Sequence, residues 1–222
     1  MVSINKERVR RMNVQIVSGQ TRLRGLLALP RDPEGLILWV RDAENTRLRS
    51  RDQVFVETFQ RAGFATLLLD LLSEAERRID LSTLRLGTHV PFLAGRIQLG
   101  IEWALTNDST RHLSLGLFGT EMGGAAVLVA SVQRPHRIRA IVCEEGRPDL
   151  RGSILSDIKV PTLFIAGDHD PVTLENNQEA AKRLTVENKL ITIAGAGRLV
   201  RPSKRLDTVA EHAKNWFLEH MN

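Results

Sequence analysis

Apolar residues fall into two rhythms along this chain, and the switching between them is the first guide to its fold. Asn13–Val17 and Leu23–Leu29 flank Ser18-Gly19 and read as two short strands about a turn. Leu36–Val40 is a continuous apolar run, the mark of a strand buried on both faces. Between Asp52 and Arg61, Val54, Phe55, Val56 and Phe59 take helical spacing, and Gly63 is placed to end that helix. Ala65–Leu69 is a further strand, ending at Asp70. Glu74–Arg85 is polar and stays ambiguous between a short helix and a loop. Val90–Leu105 reads as a long helix with Leu93, Ile97, Ile101, Ala104 and Leu105 along one face.

The second half repeats the alternation. Leu113–Phe118 is a strand and Ala125–Ala130 a buried helix. Ile138–Cys143 and Thr162–Ala166 are strands, followed by a helix near Leu174–Leu184. Lys189–Ile193 is the last strand and Arg205–His220 the last helix. Apolar strands alternating with helices imply an α/β fold, a mainly parallel, doubly wound sheet with helices on both faces. Ligands of such sheets bind beyond the C-terminal ends of the strands. No repeat, low-complexity stretch or linker interrupts the pattern, so one domain is expected over 1–222, with the charged stretch Met1–Met12 loosely ordered.

Composition narrows the class. A hydrophobic content of 42% and a charged content of 26% are ordinary for a globular protein. Met1–Met12 lacks the apolar core of a secretory leader, and no apolar run is long enough to span a bilayer. One cysteine, Cys143, leaves no internal disulfide framework and fits a reducing cytoplasm. The six histidines stand singly, outside any C-x-x-C or H-E-x-x-H setting, so neither a metal nor another cofactor is expected. Net charge is +5, with basic clusters at Lys6–Arg11 and Arg47–Arg51. Without a binding motif or interleaved aromatics they read as a solvated surface, which argues against a nucleic-acid partner. Tyrosine is absent, and with it any mechanism that needs a phenol.

The chemistry concentrates at Gly119-Thr120-Glu121-Met122-Gly123-Gly124, between an apolar strand and an apolar helix. Strand, small-residue turn and helix are the frame of the G-x-S-x-G nucleophile elbow, with glutamate at the tip in place of serine. With it go Ala65–Leu72, Gly146–Leu150, Pro161–Val172, Gly195–Leu199 and Ala213–Phe217. In order and spacing these segments resemble the dienelactone hydrolase branch of the α/β-hydrolases, including members fused to phosphoribosyltransferases. The resemblance runs from about Asn13 to the last helix.

That resemblance implies a triad in the order nucleophile, acid, histidine, and assigns the three positions to Glu121, Asp170 and Arg198. It places the family's oxyanion-loop His-Gly on Arg41-Asp42. Only Asp170 keeps the expected type. Glu121 has no hydroxyl to deprotonate, and an arginine offers donors but no acceptor, so Arg198 is no general base. The Met122 N–H keeps the place of an oxyanion donor, whereas a carboxylate at Asp42 facing the pocket would repel a developing oxyanion. The substitutions are mutually consistent: Glu121, Arg198 and Asp170 would form an ionic cluster, joined by Arg41. Such a cluster reads equally as a pocket rebuilt for an anion or a partner and as a relic pocket plugged by its own ion pairs.

Other candidates are weaker. Cys143 ends a strand on the pocket side with His169 as the nearest base in sequence, although a lone cysteine there is usually a small buried apolar residue. Arg147, in Gly146-Arg147-Pro148-Asp149-Leu150, is placed to hold an anionic ligand or to make a turn with Asp149. His89 precedes a helix, and His212 and His220 read as surface positions on the last helix. The expectation is a catalytically impaired relative of the hydrolases, a pseudoenzyme binding a small molecule or a protein. The alternatives are an ester or lactone hydrolase using Glu121 or Cys143, and a basic surface-binding protein.

Overall fold

The structure, a computed structural model, describes residues 9–40, 50–195 and 204–221, the side chains of 50, 51, 149–153 and 204 excepted. Eight strands form one sheet: β1 (Arg10–Ser18), β2 (Thr21–Leu29), β3 (Gly35–Val40), β4 (Phe64–Leu69), β5 (Leu115–Thr120), β6 (Ile138–Glu144), β7 (Thr162–Gly167) and β8 (Asn188–Ile193). Their spatial order is β1-β2-β4-β3-β5-β6-β7-β8. β1, β2 and β4 pair antiparallel, and every pair from β4 to β8 is parallel. The doubly wound α/β architecture expected from the sequence is thus present, with an antiparallel hairpin added at one edge.

Helices α1 (Ser50–Arg61) and α6 (Lys204–Met221) cover one face, and α3 (Val90–Thr106), α4 (Met122–Gln133) and α5 (Pro171–Arg183) cover the other. Under α1 and α6 the core is aromatic. Trp39 stands edge-on to Phe55 and Phe118 at centroid distances of 5.3 and 5.2 Å, and Phe59 reaches Phe217 of α6 at 5.7 Å. The opposite core is aliphatic, built on Leu38, Leu67, Ile97, Ile101, Leu117 and Leu128. Central strands β3, β4 and β5 are buried almost throughout, as continuous apolar runs require.

Several boundaries differ from the sequence reading, each for a local reason. β1 begins at Arg10, inside the stretch expected to be loose, because its partner β2 runs on to Leu29 opposite it. The ambiguous polar segment folds as helix α2 (Glu74–Thr83). Ser73 and Glu76 form a reciprocal capping box there, and Arg96 on α3 ion-pairs with Glu76. Buried Asp80 accepts the N–H groups of Leu86 and Gly87 at 2.7 and 3.0 Å, closing the loop behind it. A 3-10 stretch over Pro148–Asp157 had no periodic signal. His89 caps α3, its Nδ1 accepting the Phe92 N–H at 3.2 Å. His220 is not a surface residue: its side chain is 9% exposed, stacks on Trp216 at 4.1 Å and lies 3.4 Å from Glu187.

Candidate functional site

The turn from β5 into α4 is shaped by backbone packing. A Cβ at Gly119 would lie 2.5 Å from the Gly123 carbonyl oxygen, so only glycine lets the strand end press against the first turn of α4. A Cβ at Gly124 would lie 2.8 Å from the Cys143 sulfur and 3.0 Å from the Gly146 Cα. Between these contacts Glu121 is forced to φ 50° and ψ −117°, a region that L-residues rarely enter. Its N–H donates to the Glu144 carbonyl at 3.0 Å, and its carbonyl accepts from Ala125 at 3.3 Å. Strained turns of this kind cost about 1–3 kcal/mol and gather at sites that must display one side chain. The side chain displayed here is a carboxylate. It is half-buried, it does not cap α4, and no described cation lies within ion-pair distance of it. Met122, buried, occupies the first position of α4, where the resemblance puts an oxyanion donor.

Asp170 lies just beyond β7, at the start of α5. One of its oxygens accepts the Thr173 N–H at 3.1 Å and the other accepts the Thr173 hydroxyl at 2.9 Å. The expected triad acid therefore also caps a helix. His169 turns outward: its side chain is 69% exposed and its Nε2 lies 3.8 Å from Asp168. Cys143 is fully buried, with its sulfur against Gly124 and Gly146. Burial above all, then the charges of Glu144 and Glu145, push its thiol well above the usual range, against a lowering hydrogen bond from the Gly146 backbone. Cys143 and His169 are not brought together as a nucleophile and its base. Arg147 is half-buried at the start of the 3-10 stretch. Arg41, Asp42 and Arg198 lie outside the described residues, as does the expected Glu121–Arg198 contact.

Two carboxylates join the site that sequence reasoning missed. Glu144, only 3% exposed, ends β6 beside the elbow. Glu145 follows at φ 48° and accepts the Gly167 N–H at 2.8 Å, tying the end of β6 to the loop that carries Asp170. Buried Asn177 on α5 donates to the Gly146 and Thr173 carbonyls at 2.9 and 2.7 Å. The acidic doublet after an apolar strand was the available signal for the first two; nothing local marks Asn177. Among the described residues no group of histidine, cysteine, aspartate and glutamate is arranged to hold a metal ion.

The arrangement can be set beside known proteins. It superposes on the crystal structure of a dienelactone hydrolase from Anabaena variabilis with a TM-score of 0.92 and 35% identity, covering 96% of this chain and 99% of that one. The chain belongs to the dienelactone hydrolase family. Est1E from Butyrivibrio proteoclasticus shares the fold at a TM-score of 0.76 and 17% identity, covering 93% and 98% of the two chains. No family model matches the sequence. Two strains of Mycobacterium tuberculosis carry a relative 35% identical over 208 residues, whose name assigns it provisionally to the phosphoribosyl transferases. The match takes in 94% of this chain and 46% of that relative, so the chain spans about half the relative's length. No described helix of this family member is long and apolar enough to cross a membrane.

Proposed function

We propose that this member of the dienelactone hydrolase family does not run Ser-His-Asp hydrolysis and acts by binding, with a small anionic molecule as its ligand at the elbow. One observation carries the reading: the apex of the turn, at φ 50° and ψ −117°, presents Glu121. A carboxylate has no proton to give up on attack, and the arginine at the histidine position cannot accept one. Arg41, Arg147 and Arg198 are the sequence's candidates for holding an anion among the acidic groups Glu121, Glu144 and Glu145. A second reading, a protein partner, is favoured by the half-length match: the mycobacterial relatives carry as much chain again beyond the matched part.

The experiment is a panel of activated esters and lactones turned over by the wild type, Glu121→Ala and Cys143→Ala, with Glu121→Ser alongside. All four are expected to stay at the buffer rate. Activity lost with Glu121→Ala or Cys143→Ala alone would instead identify an unconventional nucleophile and end the binding reading. Thermal shifts with small carboxylates and phosphates, reduced by Arg147→Ala, then separate a small anionic ligand from a protein partner.

A further inference from the structure

The far edge of the sheet carries information that the elbow does not use. β1 pairs with β2 on one side and, among the described residues, with nothing on the other. The turn at Gly19-Gln20, with Gly19 at φ 57°, decides which of its backbone groups face outward. A two-residue hairpin loop is closed by a pair exchanging both hydrogen bonds, here Ser18 and Thr21. Alternating from that pair, Ile16, Val14, Met12 and Arg10 turn their N–H and C=O groups to β2. Val17, Gln15, Asn13 and Arg11 turn theirs away. A separate bond agrees: Arg24, opposite Gln15, gives its carbonyl to the Asp70 N–H on the β4 side.

Proteins usually blunt such an edge with a proline, a bulge or a charge. The β1–β2 register runs unshifted from Arg10–Leu29 to Ser18–Thr21; β1 holds no proline, and its charges, Arg10 and Arg11, stand only at its start, leaving Met12 to Ser18 uncharged. Val17 leaves 53% of its surface in solvent, a large exposure for an apolar side chain on a strand.

We propose that β1 is a self-pairing edge: two copies of the chain join their β1 strands antiparallel about Val14, making one continuous sheet from two eight-stranded halves. The register follows from the backbone, since only the outward residues can exchange bonds. Pairing centred on Val14 matches Asn13 with Gln15 and Arg11 with Val17, and uses every outward group on both copies. The same register sets Val14 against Val14 and Met12 against Ile16 on the face where α3 packs. On the other face the carboxamides of Asn13 and Gln15 meet, and Arg11, whose guanidinium donates to Gln60 on α1 at 3.5 Å, stands opposite Val17. Arginines avoid direct opposition: the nearest pair, Arg11 and the Arg22 beside Val17 on the other copy's β2, stands about 10 Å apart across two strand spacings. At about 3.4 Å per residue the two Arg11 residues lie about 20 Å from each other, well beyond a screening length of about 8 Å. This pairing is independent of how the elbow is read.

The test uses the whole chain. In this register Val14 faces its own copy across a non-hydrogen-bonded pair with Cα atoms about 4.5 Å apart, within disulfide range. The native Cys143 is buried, so a cross-link reports on position 14. The wild type should sediment at twice the chain mass, and oxidised Val14→Cys should run as a covalent dimer. Gln15→Cys, which faces Asn13, should not. Asn13→Lys with Gln15→Lys sets lysine against lysine and should halve the sedimenting mass. Mixing that variant with Asn13→Glu, Gln15→Glu should restore it. A wild type monomeric at high micromolar concentration, a dimer indifferent to the lysines, or equal cross-linking at 14 and 15 would overturn the proposal.

Discussion

The elbow and the strand ends beside it share one end of the sheet, yet they are held by different physics. The β5–α4 turn is fixed by main chain on main chain: Gly119 against Gly123, with Glu121 bent between them. Nothing in that packing asks what side chain the tip carries. The ends of β6 and β7 are held by side chains instead. Glu145 holds Gly167, Asn177 holds Gly146, and Asp170 holds Thr173. Those side chains serve the local structure whether or not chemistry follows. Persistence therefore means opposite things in the two places. An intact elbow reports a fold, not a nucleophile, and a surviving Asp170 has a structural task as a helix cap besides any place in a triad.

Three substitutions put this contrast at risk. Gly119→Ala meets backbone on every near side, and overpacking of that kind should cost about 3 kcal/mol in urea unfolding. A cost under about 1 kcal/mol would show that the turn yields more easily than its packing implies. At Asp170 the distinction is between cap and charge. Asp170→Ala should lose about 1 kcal/mol as the cap on Thr173 goes, and Asp170→Asn, an equally good cap, should lose less. If both fall together, the charge itself is what the site uses. The smallest effect is expected at the tip. Glu121→Gly relieves a positive φ and should raise stability by about 0.5 kcal/mol. A loss there would mean that the carboxylate is held by a favourable contact.

Much of this architecture was legible in the sequence because it follows local rules. Continuous apolar runs at Leu36–Val40 and Ala65–Leu69 mark buried parallel strands, and Gly119, Gly123 and Gly124 mark a turn where backbones touch. Long-range partners were not legible. Helix α2 has too few apolar positions to declare itself, and beyond its local capping box it is joined by Arg96, which reaches Glu76 from another helix. Nothing in the order of elements says that β4 lies outside β3. At the site, the elbow and Asp170 were placed by pattern. Glu144, Glu145 and Asn177 acquire meaning only once β6, β7 and α5 are brought side by side. His220 was misread because its neighbours Trp216 and Glu187 enclose it from one helical turn back and from a different loop.

The aromatic layer beneath α1 and α6 bears on how the chain is made. Phe217 closes against Phe59 and Phe64, and Met221 packs where Gly35 and Gly116 leave no room for a side chain. All of these contacts wait for α6, which leaves the ribosome after every strand of the sheet. The aliphatic layer takes its last member at Leu190 on β8, so during synthesis one side of the sheet can condense while the other still shows its rings to the cell. Chaperone demand should peak in that interval and fall sharply once α6 docks.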